Sequence, residues 1–418
     1  MYEFDTDADF IAEDERYLMH SYARLPVKFM RGSGCVLTDS EGRDYLDFLG
    51  GIGVVCLGHC HPRLVDALKG QAERLWQVGN YFHVENRSEL AASLSRLLGA
   101  TTDEEGHVTG STGQTWRTFF ANSGAEANEG AIKLARRWGE RRLGGATGIV
   151  TAKRSFHGRT LATLAATGQD VFHKSFAPMP AGFMSAELND LAALEEAIAR
   201  PEAGCGPVCA IMLECVQGEG GVWPADPEYL QGASRLCEER GLVLIVDEVQ
   251  TGVFRCGAPF SYQLAGIVPD IVSMAKGIAG GFPMGAFSAH GKVADLLGPG
   301  DHGSTFGGNP LACAVGRATM ETLVAEGIGE HVIEVGAQLA ERLATLPHVT
   351  EVRGRGLMRG AQLDAPMARG LVEQGLRAGL VLNCVGDSTL RFLPPLVVTT
   401  GQVDAMAERL AKLIEQLV

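Results

Sequence analysis

The sequence lacks the features that mark membrane-spanning, exported and nucleic-acid-binding chains. No apolar run approaches the roughly 18 residues that a membrane-spanning helix needs. The first ten residues carry four acids and no base, so they resemble neither a signal peptide nor a transit peptide. Basic side chains are also few, since 36 lysines and arginines against 50 acids give a net charge of −14. This balance argues against nucleic acid and anionic membranes as partners, because both are bound through basic patches.

The ten cysteines form no disulfide or metal-binding pattern. They are scattered through a long chain with no CxxC pair, and we expect most of them to be buried and reduced. The segment His59-Cys60-His61, with Cys56 nearby, is the only local group of metal-ligand atoms, and no second pair follows it at zinc-finger spacing. We therefore predict no metal site, a structural turn at this segment, and a reducing, cytoplasmic location.

The remaining composition is that of a globular α/β protein. Its 418 residues are 46% hydrophobic and 21% charged, which suggests about two or three domains with large cores. Short apolar stretches alternate with helix-like stretches, a pattern typical of a largely parallel sheet with sites at the carboxyl ends of its strands. The predicted strands include 117–120, 209–213, 243–246 and 271–274, and the predicted helices include 188–199 and 227–240.

We expect the chain to divide into three parts. Residues 1–70 would pack with a smaller domain, residues 71–310 would form the large domain, and residues 311–418 would form the smaller α+β domain. A long helix over 310–325 leads into that last part, which holds predicted strands at 349–353, 357–363 and 390–393 and a helix at 403–417. Residues 100–115 are polar and rich in glycine and threonine, and are predicted to be an exposed surface loop.

A strand, a Ser-Gly turn and a helix follow one another around residues 122–128 (NSGAEAN). The first N–H groups of a helix have no partner within it, and together with the helix dipole they form a site for an anion such as phosphate. The alternative is that Ser123 only caps the helix. This motif alone is a weak indication of phosphate binding.

Two further side chains lie at the ends of predicted apolar strands. Asp247 ends the strand 243–246, where a carboxylate needs a cationic partner such as a protonated ring nitrogen, although it could instead cap a helix or bind a metal. Lys276 follows 29 residues later, about one strand–helix–strand spacing, and opens a glycine-rich loop. A lysine buried at a sheet edge has a lowered pKa and can form a Schiff base with an aldehyde, although a surface lysine can also follow a strand.

Together, the phosphate turn, the carboxylate and the lysine fit pyridoxal phosphate, which needs an anchor, a partner for its pyridinium nitrogen and a covalent tether. The main alternatives for an α/β chain are nicotinamide and nucleoside-triphosphate sites. The sequence has neither the GxGxxG nor the GxxxxGK[ST] motif that these would require.

At this point the sequence resembles the class III, ornithine-type aminotransferases of fold type I. The similarity extends over nearly the whole chain, and within the family it is greatest to the enzymes that act on N-acetylornithine. It is carried by the strings NSGAEANEGAIKLAR, SFHGRT, QGEGGV, VDEVQTG, AKGIAGGFPMG and HGSTFGGNPLACA. The resemblance implies a large domain with a mostly parallel central sheet, a smaller α+β domain, and a homodimer with shared active sites.

The resemblance also implies roles for particular residues toward the cofactor. A Ser-Gly-Ala turn would hold the phosphate, helped by a threonine of the partner subunit. An aromatic and an aliphatic side chain would cover the two faces of the ring, and an amide would contact the ring hydroxyl. The two catalytic residues would pair with the ring nitrogen and bind the aldehyde. In that order, the residues are Ser123, Gly124, Ala125, Thr305, Phe156, Val249, Gln250, Asp247 and Lys276.

For the substrates, the resemblance implies that Arg159 binds the α-carboxylate of N-acetylornithine, assisted by Tyr22 and by Ser304 of a second subunit. Glu219 and Arg391 resemble a switch pair, in which the glutamate neutralises the arginine until 2-oxoglutarate or glutamate needs it. An alternative for any one arginine is a surface ion pair. The sequence departs from the family in the long segment 100–115 and in Cys215, where proline is usual.

The implied reaction transfers the δ-amino group of N-acetylornithine to 2-oxoglutarate, as in arginine biosynthesis. Alternatives within the family are ornithine, succinylornithine, 4-aminobutyrate or carrier-linked lysine as the donor, or an aminomutase or racemase reaction without an external oxo acid. A catalytically silent binding protein on the same fold is a third possibility. The intact lysine, aspartate and phosphate turn argue against it.

Overall fold

The computed structural model describes residues 10–417, which form nineteen strands and twelve helices. In chain order the strands are β1 (Phe29–Ser33), β2 (Val36–Asp39), β3 (Asp44–Asp47), β4 (Ala100–Thr102), β5 (Val108–Ser111), β6 (Trp116–Ala121), β7 (Gly148–Ala152), β8 (Phe183–Ala186), β9 (Val208–Leu213), β10 (Val216–Gln217), β11 (Trp223–Pro224), β12 (Val243–Asp247), β13 (Ile271–Met274), β14 (Gly285–His290), β15 (Val349–Arg355), β16 (Met358–Leu363), β17 (Leu380–Val381), β18 (Asn383–Val385) and β19 (Thr389–Phe392). The helices are α1 (Phe10–Tyr17), α2 (Gly50–Gly53), α3 (Pro62–Ala72), α4 (Arg87–Leu98), α5 (Gly124–Arg142), α6 (Leu161–Ala166), α7 (Leu191–Ala199), α8 (Pro227–Arg240), α9 (Pro310–Ala325), α10 (Ile328–Ala344), α11 (Ala368–Gly375) and α12 (Thr400–Leu417). Within this part of the chain, no helix combines the length and apolarity needed to cross a membrane.

A seven-stranded sheet forms the centre of the molecule, in the order β6-β14-β13-β12-β9-β7-β8. Its strands run parallel to their neighbours except β14, which is antiparallel to both β13 and β6. Every residue of β9, β12 and β13 is buried, as expected of strands covered on both faces. The predicted α/β class with a mostly parallel sheet is therefore confirmed.

Several predicted helix boundaries follow from local chemistry. Helix α8 begins at Pro227, whose missing N–H needs no partner in the first turn, and ends before Gly241 in the left-handed conformation (φ 67°). Helix α7 begins three residues later than predicted, because the Asp190 side chain accepts the N–H of Ala193 at 2.9 Å and caps the helix there.

Two smaller sheets complete the fold. Strands β1, β2 and β3 form a sheet with β17, which runs parallel to β3, so the N-terminal region pairs directly with the C-terminal region. Strands β15, β16, β19 and β18 form an antiparallel sheet. The division at residues 70 and 310 remains a prediction.

Residues 100–111 form a β-hairpin within the segment 100–115, which was predicted from its composition to be an exposed surface loop. Strands β4 and β5 pair in it, and the side chain of Asp103 closes the turn by accepting the N–H groups of Gly106 and His107 at 2.8 and 2.9 Å. The prediction that this segment is exposed holds for β5, all of whose residues are exposed. The two strands were not predicted because the segment is polar and shows no apolar alternation. Its turn depends on the side chain of a single aspartate, Asp103.

The cysteines are free, and eight of the ten are buried. At the His59-Cys60-His61 segment, His59 Nε2 lies 2.7 Å from the buried carboxylate of Asp47, and Asp47 also accepts the N–H groups of Leu49 and Gly50. These contacts join the segment to the end of β3. They account for the histidine as a structural residue.

Candidate active site

A cavity of about 470 Å³ opens at the carboxyl ends of the central strands. It lies where the sequence analysis expected a site, beside the end of β12, the beginning of α5 and the turn after β13. Eight residues predicted to contact the cofactor and one predicted to bind the substrate line it. They are Ser123, Gly124, Ala125, Phe156, Asp247, Val249, Gln250 and Lys276, with Arg159.

The beginning of α5 provides the predicted anion site. Ser123 is extended (φ −148°, ψ 165°), and its hydroxyl accepts the N–H of Glu126 at 3.2 Å, so it caps the helix. The first N–H groups of the helix, on Gly124 and Ala125, have no partner within it and lie at the cavity. A Cβ atom on Gly124 would lie 2.7 Å from Val249 Cγ1, so only glycine lets the turn approach Val249 this closely. Capping and anion binding are therefore compatible.

Asp247 is a buried carboxylate held by three donors. One oxygen accepts Asn128 Nδ2 and His157 Nδ1, both at 2.8 Å, and the other accepts the N–H of Val249 at 2.9 Å. These three hydrogen bonds fix the orientation of the carboxylate. Asp247 is only 3% exposed, and it lines the cavity. A fixed buried anion stabilises a cation placed beside it, such as a protonated ring nitrogen.

Lys276 follows β13 in the left-handed conformation (φ 47°), which non-glycine residues adopt uncommonly and often at functional sites. Burial lowers the pKa of its amine to about 8, opposed by the nearby carboxylate of Glu219. The lowered pKa increases the neutral fraction of this amine near neutral pH, and the neutral amine is the nucleophile toward an aldehyde.

The Phe156 ring lines the same cavity and packs against a second aromatic ring. It contacts Phe172 edge to face at a centroid distance of 6.0 Å, and the guanidinium of Arg159 lies 4.0 Å from the Phe172 centroid. Arg159 is exposed and has no ion-pair partner among residues 10–417. Its charge is thus available to an anionic ligand entering the cavity.

Glu219 and Arg391 form an ion pair beside the cavity, with Arg391 Nη1 2.5 Å from Glu219 Oε1. Gln250 touches both, donating to Glu219 at 3.3 Å and accepting from Arg391 at 3.4 Å. Burial alone would raise the pKa of Glu219. The charge and hydrogen bond of Arg391 have the larger effect and lower this pKa, so the glutamate is ionised. The predicted pair is thus in contact, and Gln250 links it to the cavity.

Besides Glu219 and Arg391, three predicted residues do not line this cavity. Tyr22 is 76% exposed, and Ser304 and Thr305 line a neighbouring cavity with Asn122 and Glu126. Ser304 and Thr305 were expected to act from a second subunit. Their roles and that of Tyr22 therefore remain predictions.

Asn128, His157 and Glu214 line the cavity but were not singled out from the sequence. Asn128 lies four residues after Gly124, on the same face of α5, and this spacing was a usable signal. Glu214 accepts the N–H of Phe156 at 3.0 Å, and burial, then the charge of Asp247, raises its pKa well above the usual value.

The donor and acceptor set fits pyridoxal phosphate. An anion site, a fixed carboxylate and an amine of lowered pKa surround one cavity. Two buried atoms of its lining residues, Asn128 Oδ1 and His157 Nε2, have no hydrogen-bond partner within the described part of the chain. The sheet topology and this site define a pyridoxal-phosphate enzyme of fold type I.

Comparison with known proteins identifies the family. The family described as aminotransferase class-III matches residues 17–414. The acetylornithine aminotransferase of Caldanaerobacter subterraneus subsp. tengcongensis is 46% identical over 412 residues, covering 97% of this chain and 99% of that protein. The chain therefore belongs to the class-III aminotransferases, is an aminotransferase, and uses pyridoxal phosphate.

Two solved structures agree with this assignment. One is an ornithine aminotransferase from Toxoplasma gondii, crystallised with partial occupancy of pyridoxal phosphate at its active site (TM-score 0.88, 32% identity, 99% of this chain and 96% of that chain). The other is the N-acetylornithine aminotransferase of Stenotrophomonas maltophilia (TM-score 0.79, 34% identity, 97% and 99%).

Proposed function

We propose that the protein transfers the δ-amino group of N-acetylornithine to 2-oxoglutarate, giving N-acetylglutamate 5-semialdehyde and glutamate, as in arginine biosynthesis. The observation that carries this proposal is the different availability of two arginines, one that lines the cavity and one that is joined to its lining through Gln250. Arg159 is exposed and uncompensated, whereas Arg391 is neutralised by Glu219. A donor with one carboxylate needs the first arginine only, and a dicarboxylate acceptor can use both.

Different cavity residues would have different roles in the reaction. Pyridoxal phosphate, when bound, supplies a ring that withdraws electrons from the substrate carbon bearing the amino group. The turn at Ser123 would hold the phosphate, and Asp247 would stabilise a positive charge on the ring nitrogen. Lys276, whose amine has a pKa lowered to about 8, would be the base that accepts the proton from the substrate carbon and later releases it. Phe156 and Val249 would exclude water from the two faces of the ring.

The positive charge of Arg159 in the cavity lining favours an acylated donor. Arg159 would bind the α-carboxylate of the donor by a charge-assisted contact. In free ornithine an α-ammonium group would lie next to this guanidinium, whereas in N-acetylornithine the same nitrogen is an uncharged amide. The relatives named acetylornithine aminotransferase, at 46% to 41% identity, support the same donor. Succinylornithine, which is also acylated, is the strongest competitor.

We also propose that the enzyme is a cytoplasmic homodimer in which Ser304 and Thr305 reach the site of the partner subunit. Four large aromatic side chains near these residues are exposed, at 64%, 97%, 64% and 62% for Trp76, Tyr81, Phe82 and Phe306. Such an aromatic patch is typical of a subunit interface. The segment 304–305 is held in place by Gln77 and Asn80, which donate to its carbonyl groups at 2.5 and 2.8 Å.

A donor panel tests the substrate proposal. The purified holoenzyme is assayed with 2-oxoglutarate as acceptor and with N-acetylornithine, succinylornithine, ornithine or 4-aminobutyrate as donor, with Lys276→Ala as the inactive control. N-acetylornithine should give the highest kcat/KM. A higher value for any other donor would overturn the donor assignment, and turnover without an oxo acid would favour an aminomutase or racemase. Sedimentation of the same preparation tests the dimer.

A further inference from the structure

Arg391 has a third partner, which neither the sequence motifs nor the proposed switch includes. Asn383 lies on β18 directly opposite Arg391 on β19, and its Oδ1 accepts Arg391 Nε at 2.9 Å. The two side chains therefore share one face of the antiparallel pair. Arg391 is only 3% exposed, so its guanidinium cannot turn freely toward solvent.

The partners of Arg391 bind different nitrogen atoms of its guanidinium. Asn383 accepts a hydrogen bond from Nε, whereas Glu219 and Gln250 both accept from Nη1. Among residues 10–417, no hydrogen bond is made by Nη2. If Glu219 moves away, Nη1 and Nη2 together form the fork that binds a carboxylate through two parallel hydrogen bonds. Asn383 would remain on the opposite side of the guanidinium throughout.

An amide is chemically suited to this position. The guanidinium has donors only, so a partner at Nε must present an acceptor atom, which here is the amide oxygen of Asn383. Aspartate would offer one too, but its negative charge would neutralise Arg391 permanently and compete with the incoming acid. Asparagine orients the guanidinium without cancelling its charge.

We propose that Asn383 is a positioning residue for the acceptor half of the reaction, holding Arg391 by Nε so that Nη1 and Nη2 can receive a carboxylate of the 2-oxo acid. This inference rests on the proposed function, because it takes Arg391 as the acceptor's binding group. It assigns to Asn383 no contact with the donor, whose carboxylate would be bound by Arg159.

Two variants separate orientation from charge. Asn383→Asp keeps the shape of the side chain and adds a negative charge, whereas Asn383→Ala removes the contact with Nε. Gln114→Glu, at an exposed position before β6, adds the same charge outside the cavity and is the matched control. Thermal unfolding of each holoenzyme shows whether the fold is retained, and Asn383→Ala serves if Asn383→Asp does not fold.

The experiment measures the two half-reactions separately in single turnover, with N-acetylornithine and then with 2-oxoglutarate. Binding of glutarate, followed by calorimetry, adds a readout that does not depend on turnover. Both Asn383 variants should weaken 2-oxoglutarate and glutarate binding about tenfold or more, the loss expected for a charge-assisted contact, and change the donor constants less than about threefold. Gln114→Glu should match the wild type.

Equal losses in both half-reactions, or no loss for 2-oxoglutarate, would overturn the inference. The proposed function can fail separately. If the wild type prefers another donor but uses 2-oxoglutarate, a selective loss in the Asn383 variants still supports the role of Asn383. If the wild type does not use 2-oxoglutarate at all, both proposals are overturned.

Discussion

Replacing Lys276 by methionine should stabilise the apoprotein at neutral pH, because the wild-type chain without cofactor must bury the ammonium group of this lysine. Burial lowers the pKa of Lys276 from 10.5 to about 8. At 1.36 kcal/mol for each unit of pKa, charging this amine in the folded protein costs roughly 3 kcal/mol. Methionine has a similar length and no charge, so the variant avoids that cost.

The pH dependence identifies the cause. Below about pH 8 the lysine is charged in both the folded and the unfolded chain, so the full cost is present. Between about pH 8 and 10.5 the unfolded chain binds a proton that the folded chain has lost, and the stability of the wild type therefore rises with pH. The advantage of Lys276→Met should accordingly be largest near pH 7 and nearly absent near pH 10.5.

Urea unfolding of the two apoproteins at these two pH values measures the effect. Lys412→Met, on the exposed side of α12, removes a lysine without removing a buried charge and should change the stability little at either pH. A pH-independent difference between Lys276→Met and the wild type would refute the reasoning, as would a variant that is less stable at pH 7.

Three further predictions concern the site and its scaffold. Asp247→Asn should lower kcat about 100-fold or more while the protein stays folded, because the fixed charge beside the ring is lost; near-normal kcat would contradict this role. Arg159→Leu should lower kcat/KM for N-acetylornithine about 10- to 100-fold, and an unchanged value would mean that the donor carboxylate is bound elsewhere. Gly130→Ala would place a Cβ atom 2.1 Å from Phe287 and should cost about 1–3 kcal/mol in urea unfolding, whereas Gly70→Ala, which meets open space, should not destabilise.

Much of the fold could be predicted because its signals are local. The bounds of α8 and α9 were predicted correctly because both helices begin at a proline, and β13 was predicted correctly because it is a short apolar run before Lys276. The hairpin at 100–115 was missed, since its turn depends on one side chain of Asp103 rather than on apolar alternation.

The cavity residues were predicted unevenly for a related reason. Ser123, Asp247 and Lys276 lie at the ends of strands or the start of a helix, where the sequence pattern itself marks them. Asn128 and His157 meet Asp247 across 119 and 90 residues of chain, so their contacts exist only once α5 packs against the central sheet. Asn383 reaches Arg391 through strand register, which the apolar pattern of that region does not reveal.

The central claim is that Lys276, alone among the eight lysines, carries the cofactor. Borohydride reduction of the holoenzyme, followed by proteolysis and mass spectrometry, tests it directly. The account predicts a single pyridoxyl label on the peptide that contains Lys276, and no label after Lys276→Ala. A label on another lysine of the wild type, or full turnover by Lys276→Ala, would contradict it.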